Sequence, residues 1–89
     1  MNQSILFPDV QSWDQDKQAV LFSAQQAGAL IQCLVTKAEL EKLSGQTVDN
    51  EQQALEVFSQ YRFDLEELAE ELIEDEEFNA QGWIVISST

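Results

Sequence analysis

Residues 49–76 read DNEQQALEVFSQYRFDLEELAEELIEDE, and the spacing of their apolar side chains decides the fold. With Ala54 as origin, Val57, Phe58, Tyr61, Leu65, Leu68, Ala69 and Leu72 fall within roughly 60° on either side, and Leu55 and Ile73 at about 100°. Glu56, Glu66, Glu67, Glu70, Glu71, Glu74 and Glu77 occupy the opposite arc, between about 120° and 260°. A helix divided this way buries one face and hydrates the other. Asp49 can cap its start, with Gln52 at N3. Read as continuous, it is a rod of roughly 42 Å. Phe63 is the exception, at about 180° in the middle of the acidic arc.

Two readings follow. In an unbroken helix Phe63 stands in water among glutamates, where an apolar ring can anchor a partner with a basic, grooved surface. In a broken one Asp64 is a new N-cap, Glu67 its box partner, and Phe63 a staple onto Leu68. The agreement of phase on both sides favours the continuous helix.

The chain before this stretch reads mostly as strand. Ile5 to Phe7 is a short apolar run ended by Pro8, which has no N–H for a ladder, so the strand is an edge or stops there. Residues 11–18 are polar apart from Trp13 and read as loop. Residues 19–22 and 29–35 are apolar runs joined through Gly28, an antiparallel hairpin with a loop longer than two residues. In the second run Ile31, Cys33 and Val35 share the better core face by period two. Thr36 and Glu39 fit a capping box and Gly45 a left-handed stop, which predicts a short helix from Lys37 to Ser44 with Ala38, Leu40 and Leu43 as its apolar positions. After the long helix, residues 79–82 form a turn and 83–86 a β-branched strand.

The order is therefore β-β-β-α-α-β. That predicts an α+β fold of two layers: a mostly antiparallel sheet of about four strands, with one short and one long helix on one face. The length of 89 residues makes residues 1–89 a single domain. Trp13 and Trp83 are expected in a core that so small a chain can hardly build without them.

Several stretches resemble a known family. They are the opening Met1-Asn2-Gln3-Ser4-Ile5-Leu6-Phe7-Pro8-Asp9 with Trp13-Asp14 and Ala19-Val20-Leu21-Phe22, the run from Tyr61-Arg62-Phe63-Asp64 through Ala69, and the closing Gly82-Trp83. Together they are similar to the short proteobacterial proteins grouped as domain of unknown function 1488, over nearly the whole chain. The resemblance brings no activity, cofactor or site residue with it. Family members often carry His before the arginine; here that position is Tyr61.

Composition narrows the function classes. Seventeen acids against four bases give a formal net charge of −13, a surface that repels phosphate backbones and anionic membranes. Direct nucleic-acid or membrane binding is not expected, and no apolar run approaches the ~20 residues of a spanning helix. The N-terminus does not read as a signal peptide, and Cys33 has no internal disulfide partner, so a cytoplasmic location is expected.

With no histidine, the usual nucleophile-base pairs are missing, and a lone Cys33 on an apolar strand face reads as a buried, inert thiol. Gly28, Gly45 and Gly82 are isolated, which excludes a phosphate loop. One cysteine cannot build a zinc site, and acids projecting from a rod do not wrap a calcium ion. No enzyme activity, metal or cofactor is expected.

The leading reading is a small acidic interaction or regulatory module that meets a basic protein surface through Phe63, Arg62, Glu67, Glu70, Glu71 and Glu74. The alternatives are a nucleic-acid mimic occupying a basic site on a partner, and a carboxylate enzyme or metal binder, which needs acids converging in a cleft. A second copy docked through the long helix is the other expected partner, because the apolar stripe of a rod this long can overrun a small sheet.

Overall fold

The computed structural model describes residues 5–87. The opening Met1-Asn2-Gln3-Ser4 of the family resemblance lies outside the described residues. The elements are β1 (Ile5–Leu6), β2 (Gln11–Asp14), β3 (Ala19–Gln26), β4 (Ala29–Thr36), α1 (Lys37–Ser44), α2 (Glu51–Gln60), α3 (Arg62–Glu74) and β5 (Ile84–Ile86). Among the described residues the fold is α+β, as the periodicities predict, with a five-stranded sheet in place of four strands and three helices in place of two.

The additional strand is β2, in the segment expected to be loop. It pairs antiparallel with β3, Gln11 opposite Phe22 and Asp14 opposite Ala19. Its polarity is that of an edge strand, where only one face meets the core; Trp13, opposite Val20, packs against that core. β1 runs along the same side of β3, Ile5 opposite Gln26 and Leu6 opposite Gln25. Between these pairings residues 7–10 stand opposite only Ser23 and Ala24, so the edge bulges outward. Pro8 cannot donate to the ladder and sits in this bulge, its carbonyl accepting from Val10 N–H at 2.8 Å.

β3 and β4 form the central hairpin. Gln26 pairs with Ala29, so the loop is the two residues Ala27 and Gly28, a correction to the longer loop expected. Both have positive φ, 53° and 83°, the geometry of the tight turns that match strand twist. β5 joins the far side of β4 in parallel, Ile84 opposite Cys33 and Ile86 opposite Val35, after the helical connection that a parallel crossover requires.

Thr36 Oγ1 accepts from Glu39 N–H at 3.1 Å and Gly45 closes α1 at φ 71°, as the capping pattern predicts. Of the apolar positions expected in α1, Leu40 is buried and Leu43 partly so, whereas Ala38 is exposed and its neighbour Glu39 is largely buried in its place. α2 is capped by Asn50, not Asp49. Asn50 Oδ1 accepts from Gln53 N–H at 2.9 Å, one residue later than expected, while Gln53 Oε1 accepts from the N–H of Asp49, the residue before the cap, at 2.7 Å.

The long helix is not continuous. Tyr61, at φ −110° and ψ 21°, separates α2 from α3. Both halves lie on the sheet, α2 over β2 and β3 and α3 over β5. Phase nonetheless survives the break. Ala54, Val57 and Phe58 before it and Leu65, Ala69 and Ile73 after it are all buried against the sheet. Tyr61, Leu68 and Leu72 pack partly buried beside them, so the apolar stripe is covered within the chain.

The sheet side of the core is Val20, Phe22, Ala24, Cys33, Val35, Ile84 and Ile86. Phe22 lies between Phe7 and Phe58, ring centroids 6.3 Å and 5.0 Å away. Leu34, on the opposite face of β4, is also buried, beyond what period two assigns to a single core face. The tryptophans divide. Trp13 touches the core, whereas Trp83 is half-buried with Lys17 Nζ 5.5 Å from its ring centroid, joining the β2–β3 turn to the approach to β5.

Candidate interaction cleft

Arg62 begins α3 and ties it to the bulged edge of the sheet. Its Nε donates to Glu66 at 2.9 Å, Nη1 to Gln11 Oε1 at 2.7 Å and Nη2 to the Pro8 carbonyl at 3.0 Å. Asp9 adds a carboxylate at 3.3 Å, and the guanidinium stands 5.6 Å from the Phe58 ring centroid. A planar fork of five donors suits such divided anchoring in a way a lysine cannot. With every nitrogen engaged and the side chain 17% exposed, Arg62 is part of the scaffold and is not presented to an anionic ligand.

This anchoring sets the neighbouring residue. Phe63, in the first turn of α3, is 83% exposed. The break therefore does not turn it into a staple. Asp64 is not an N-cap either, because the helix already starts at Arg62, with Tyr61 at the cap position and no side-chain cap. Asp64 instead lies in the first turn, where a negative charge meets the positive end of the helix dipole.

A cleft of about 470 Å³ opens between Phe63 and the start of the sheet edge. Ile5, Phe7 and Phe63 supply its apolar lining, and Asp64, Glu66, Glu67 and Glu70 its acidic wall. Of the residues singled out from sequence, Phe63, Glu67 and Glu70 come together here, with Arg62 behind them holding Glu66. Glu71 and Glu74 are exposed and line no part of it. Ile5, Phe7, Asp64 and Glu66 are cleft residues the sequence reading did not include. A broader depression of about 870 Å³ runs along α2 past Leu55, Glu56 and Ser59. Its described lining comes from α2 and its cap, so no second element closes over it.

The cleft sets four carboxylates beside two aromatic rings and an aliphatic side chain, a combination that suits cationic and apolar groups together. Among the described residues no group of three or more His, Cys, Asp or Glu is disposed to hold a metal ion. Cys33 lies in the core, and burial pushes its thiol up to about 12, with the backbone at Ala24 acting weakly the other way. It stays protonated, and unreactive, at neutral pH.

Comparison with known proteins agrees with this fold. A family profile described as "Protein of unknown function (DUF1488)" matches residues 5–86. The chain is 40% identical over 85 residues to the "Uncharacterized protein YrdB" of Escherichia coli strain K12, covering 94% of this chain and 96% of the relative. It is 39% identical over 85 residues to the protein of the same description in Shigella flexneri, with the same coverage. The crystal structure of a protein of unknown function from the DUF1488 family of Shewanella loihica PV-4, at 1.60 Å resolution, superposes with a TM-score of 0.93 at 46% identity. That match covers 97% of this chain and 94% of the other.

Proposed function

The chain belongs to the DUF1488 family of proteins of unknown function, and on that premise, which assigns no activity, we propose that it is a non-catalytic interaction module. Its partner is a protein whose basic surface meets the acidic side of α3. A cytoplasmic location is part of the same proposal.

The observation that carries it is Phe63. An aromatic ring 83% exposed costs the solitary chain apolar surface in water, and the acidic cleft beside it gives that ring a use. Fixed by the Arg62 anchors, Phe63 is held ready for a partner's aliphatic pocket, while Asp64, Glu67 and Glu70 steer basic groups toward it. Two further observations support the non-catalytic reading: the sequence has no imidazole, and its one thiol is held protonated in the core.

Affinity capture from a bacterial lysate tests the proposal, with wild-type chain, Phe63→Ala, and the pair Glu67→Gln with Glu70→Gln immobilised side by side. A protein retained by wild type at low salt, released as salt rises, and lost by both variants is expected. Retention that ignores salt and both variants would refute the proposal. Release of the partner by competing duplex DNA would point instead to phosphate mimicry.

A further inference from the structure

The sheet has two faces, and only one is covered by helices. Val20, Phe22, Cys33, Val35, Ile84 and Ile86 point into the core, so strand alternation turns Leu21, Leu34 and Val85, in register across β3, β4 and β5, to the other side. Leu6, Gln25 and Leu30 form a second row on that side across β1, β3 and β4. Leu34 is already buried by its surroundings, but Leu6 is 60% exposed, Leu30 70% and Val85 42%.

Charge is divided just as sharply. Asp14 is the one charged residue in any of the five strands, and it stands at the end of β2 with its carboxylate accepting from Lys17 N–H at 3.0 Å. The acids lie mainly in α1, α2, α3 and their connections, on the far side of the sheet. A molecule of net charge −13 thus carries a nearly uncharged face with exposed leucines.

We propose that this open face binds a second copy of the chain, sheet against sheet, with the helices outward. A basic partner is drawn to the helical layer and finds nothing on the sheet to attract it. An acidic partner is repelled by the molecule as a whole. The occupant that fits is another neutral, leucine-bearing face, and every copy presents one, so a two-fold arrangement satisfies both at once. Burying it strips no ion pair of water. Layers packed about 10 Å apart would hold the two helical layers ~30 Å from each other. That is several times the ~8 Å Debye length at physiological salt, so their like charges barely interact. Docking through the helices would instead bring the glutamates together.

Sedimentation equilibrium of the intact chain over a wide range of loading concentrations, at moderate salt, tests this. The mass of two chains is expected at the upper end, with little dependence on further salt. Leu30→Arg and Leu6→Arg, both at exposed positions, should each raise the dimer dissociation constant at least about tenfold. Gln52→Arg, the same change of charge on the exposed side of α2, should leave it unaltered. Far-UV circular dichroism identifies whichever leucine variant keeps the wild-type fold, and that variant is scored. A single-chain mass at every concentration, or a dimer indifferent to the folded leucine variant, would overturn the proposal.

Discussion

Replacing Arg62 with alanine probes how the cleft is held. The side chain ties α3 to two points on the sheet edge, the Pro8 carbonyl and Gln11, and pairs with Glu66 one turn along the same helix. Were the Glu66 contact all that counted, an i,i+4 pair would contribute about 0.3 to 0.5 kcal/mol. The structure calls for more. Two anchors on the sheet edge at about 1 kcal/mol net each, set below the ~1.5 to 3 kcal/mol of charged hydrogen bonds because the site is partly exposed, add to the Glu66 pair to give roughly 2.5 kcal/mol. For a domain of this size that is a melting temperature lowered by roughly 10 to 20 °C. Urea denaturation monitored by circular dichroism measures the free energy directly. Arg62→Lys should recover only part of the loss, since one ammonium cannot reach all three points. A double-mutant cycle with Glu66→Gln should leave most of it uncoupled, because the remainder runs through the sheet edge. A loss below about 1 kcal/mol would refute the reasoning, returning Arg62 to an ordinary surface pair.

Ala27 occupies a left-handed position that alanine adopts at a cost, so Ala27→Asn should stabilise the hairpin by about 0.5 to 1 kcal/mol, and a lower melting temperature would contradict the turn geometry. Cys33 should resist alkylation in the folded chain and react on unfolding. Its thiol is raised from 9.0 to about 12, so above 9 the unfolded chain loses a proton that the folded chain keeps, and stability falls as pH rises through that window. Cys33→Ala, despite its cavity, should lack that component of the slope; identical alkaline slopes would count against a buried thiol. Exposed glutamates spaced three and four apart along α3 repel, so moderate sodium chloride should raise the melting temperature, and a fall would show that the acids are not solvated as described.

What was legible beforehand was whatever depends on neighbours close along the chain. The cap at Thr36, the stop at Gly45 and the buried stripe of residues 54–73 all follow from local spacing, and the structure has them where spacing puts them. β2 was hidden because an edge strand buries one face only, and the remaining Ser12 and Asp14 resemble loop. A break in the long helix is one of the two readings the sequence offers, but the one at Tyr61 preserves phase, and periodicity detects only changes of phase. The hairpin was misjudged because Ala27 stands where turn chemistry leads one to expect asparagine. The cleft divides the same way. Phe63 was conspicuous as an apolar residue on a polar arc, but its companions Ile5 and Phe7 lie far away in sequence and reach it only through the bulge that Arg62 anchors.

The most direct measurement is an amide NMR titration of the labelled chain with whatever protein the wild-type surface captures. Shifts centred on Ile5, Phe7, Phe63, Glu67 and Glu70, fading as salt is added, are the predicted outcome. Shifts confined to other surfaces, with the Phe63 amide unmoved at saturation, would contradict it.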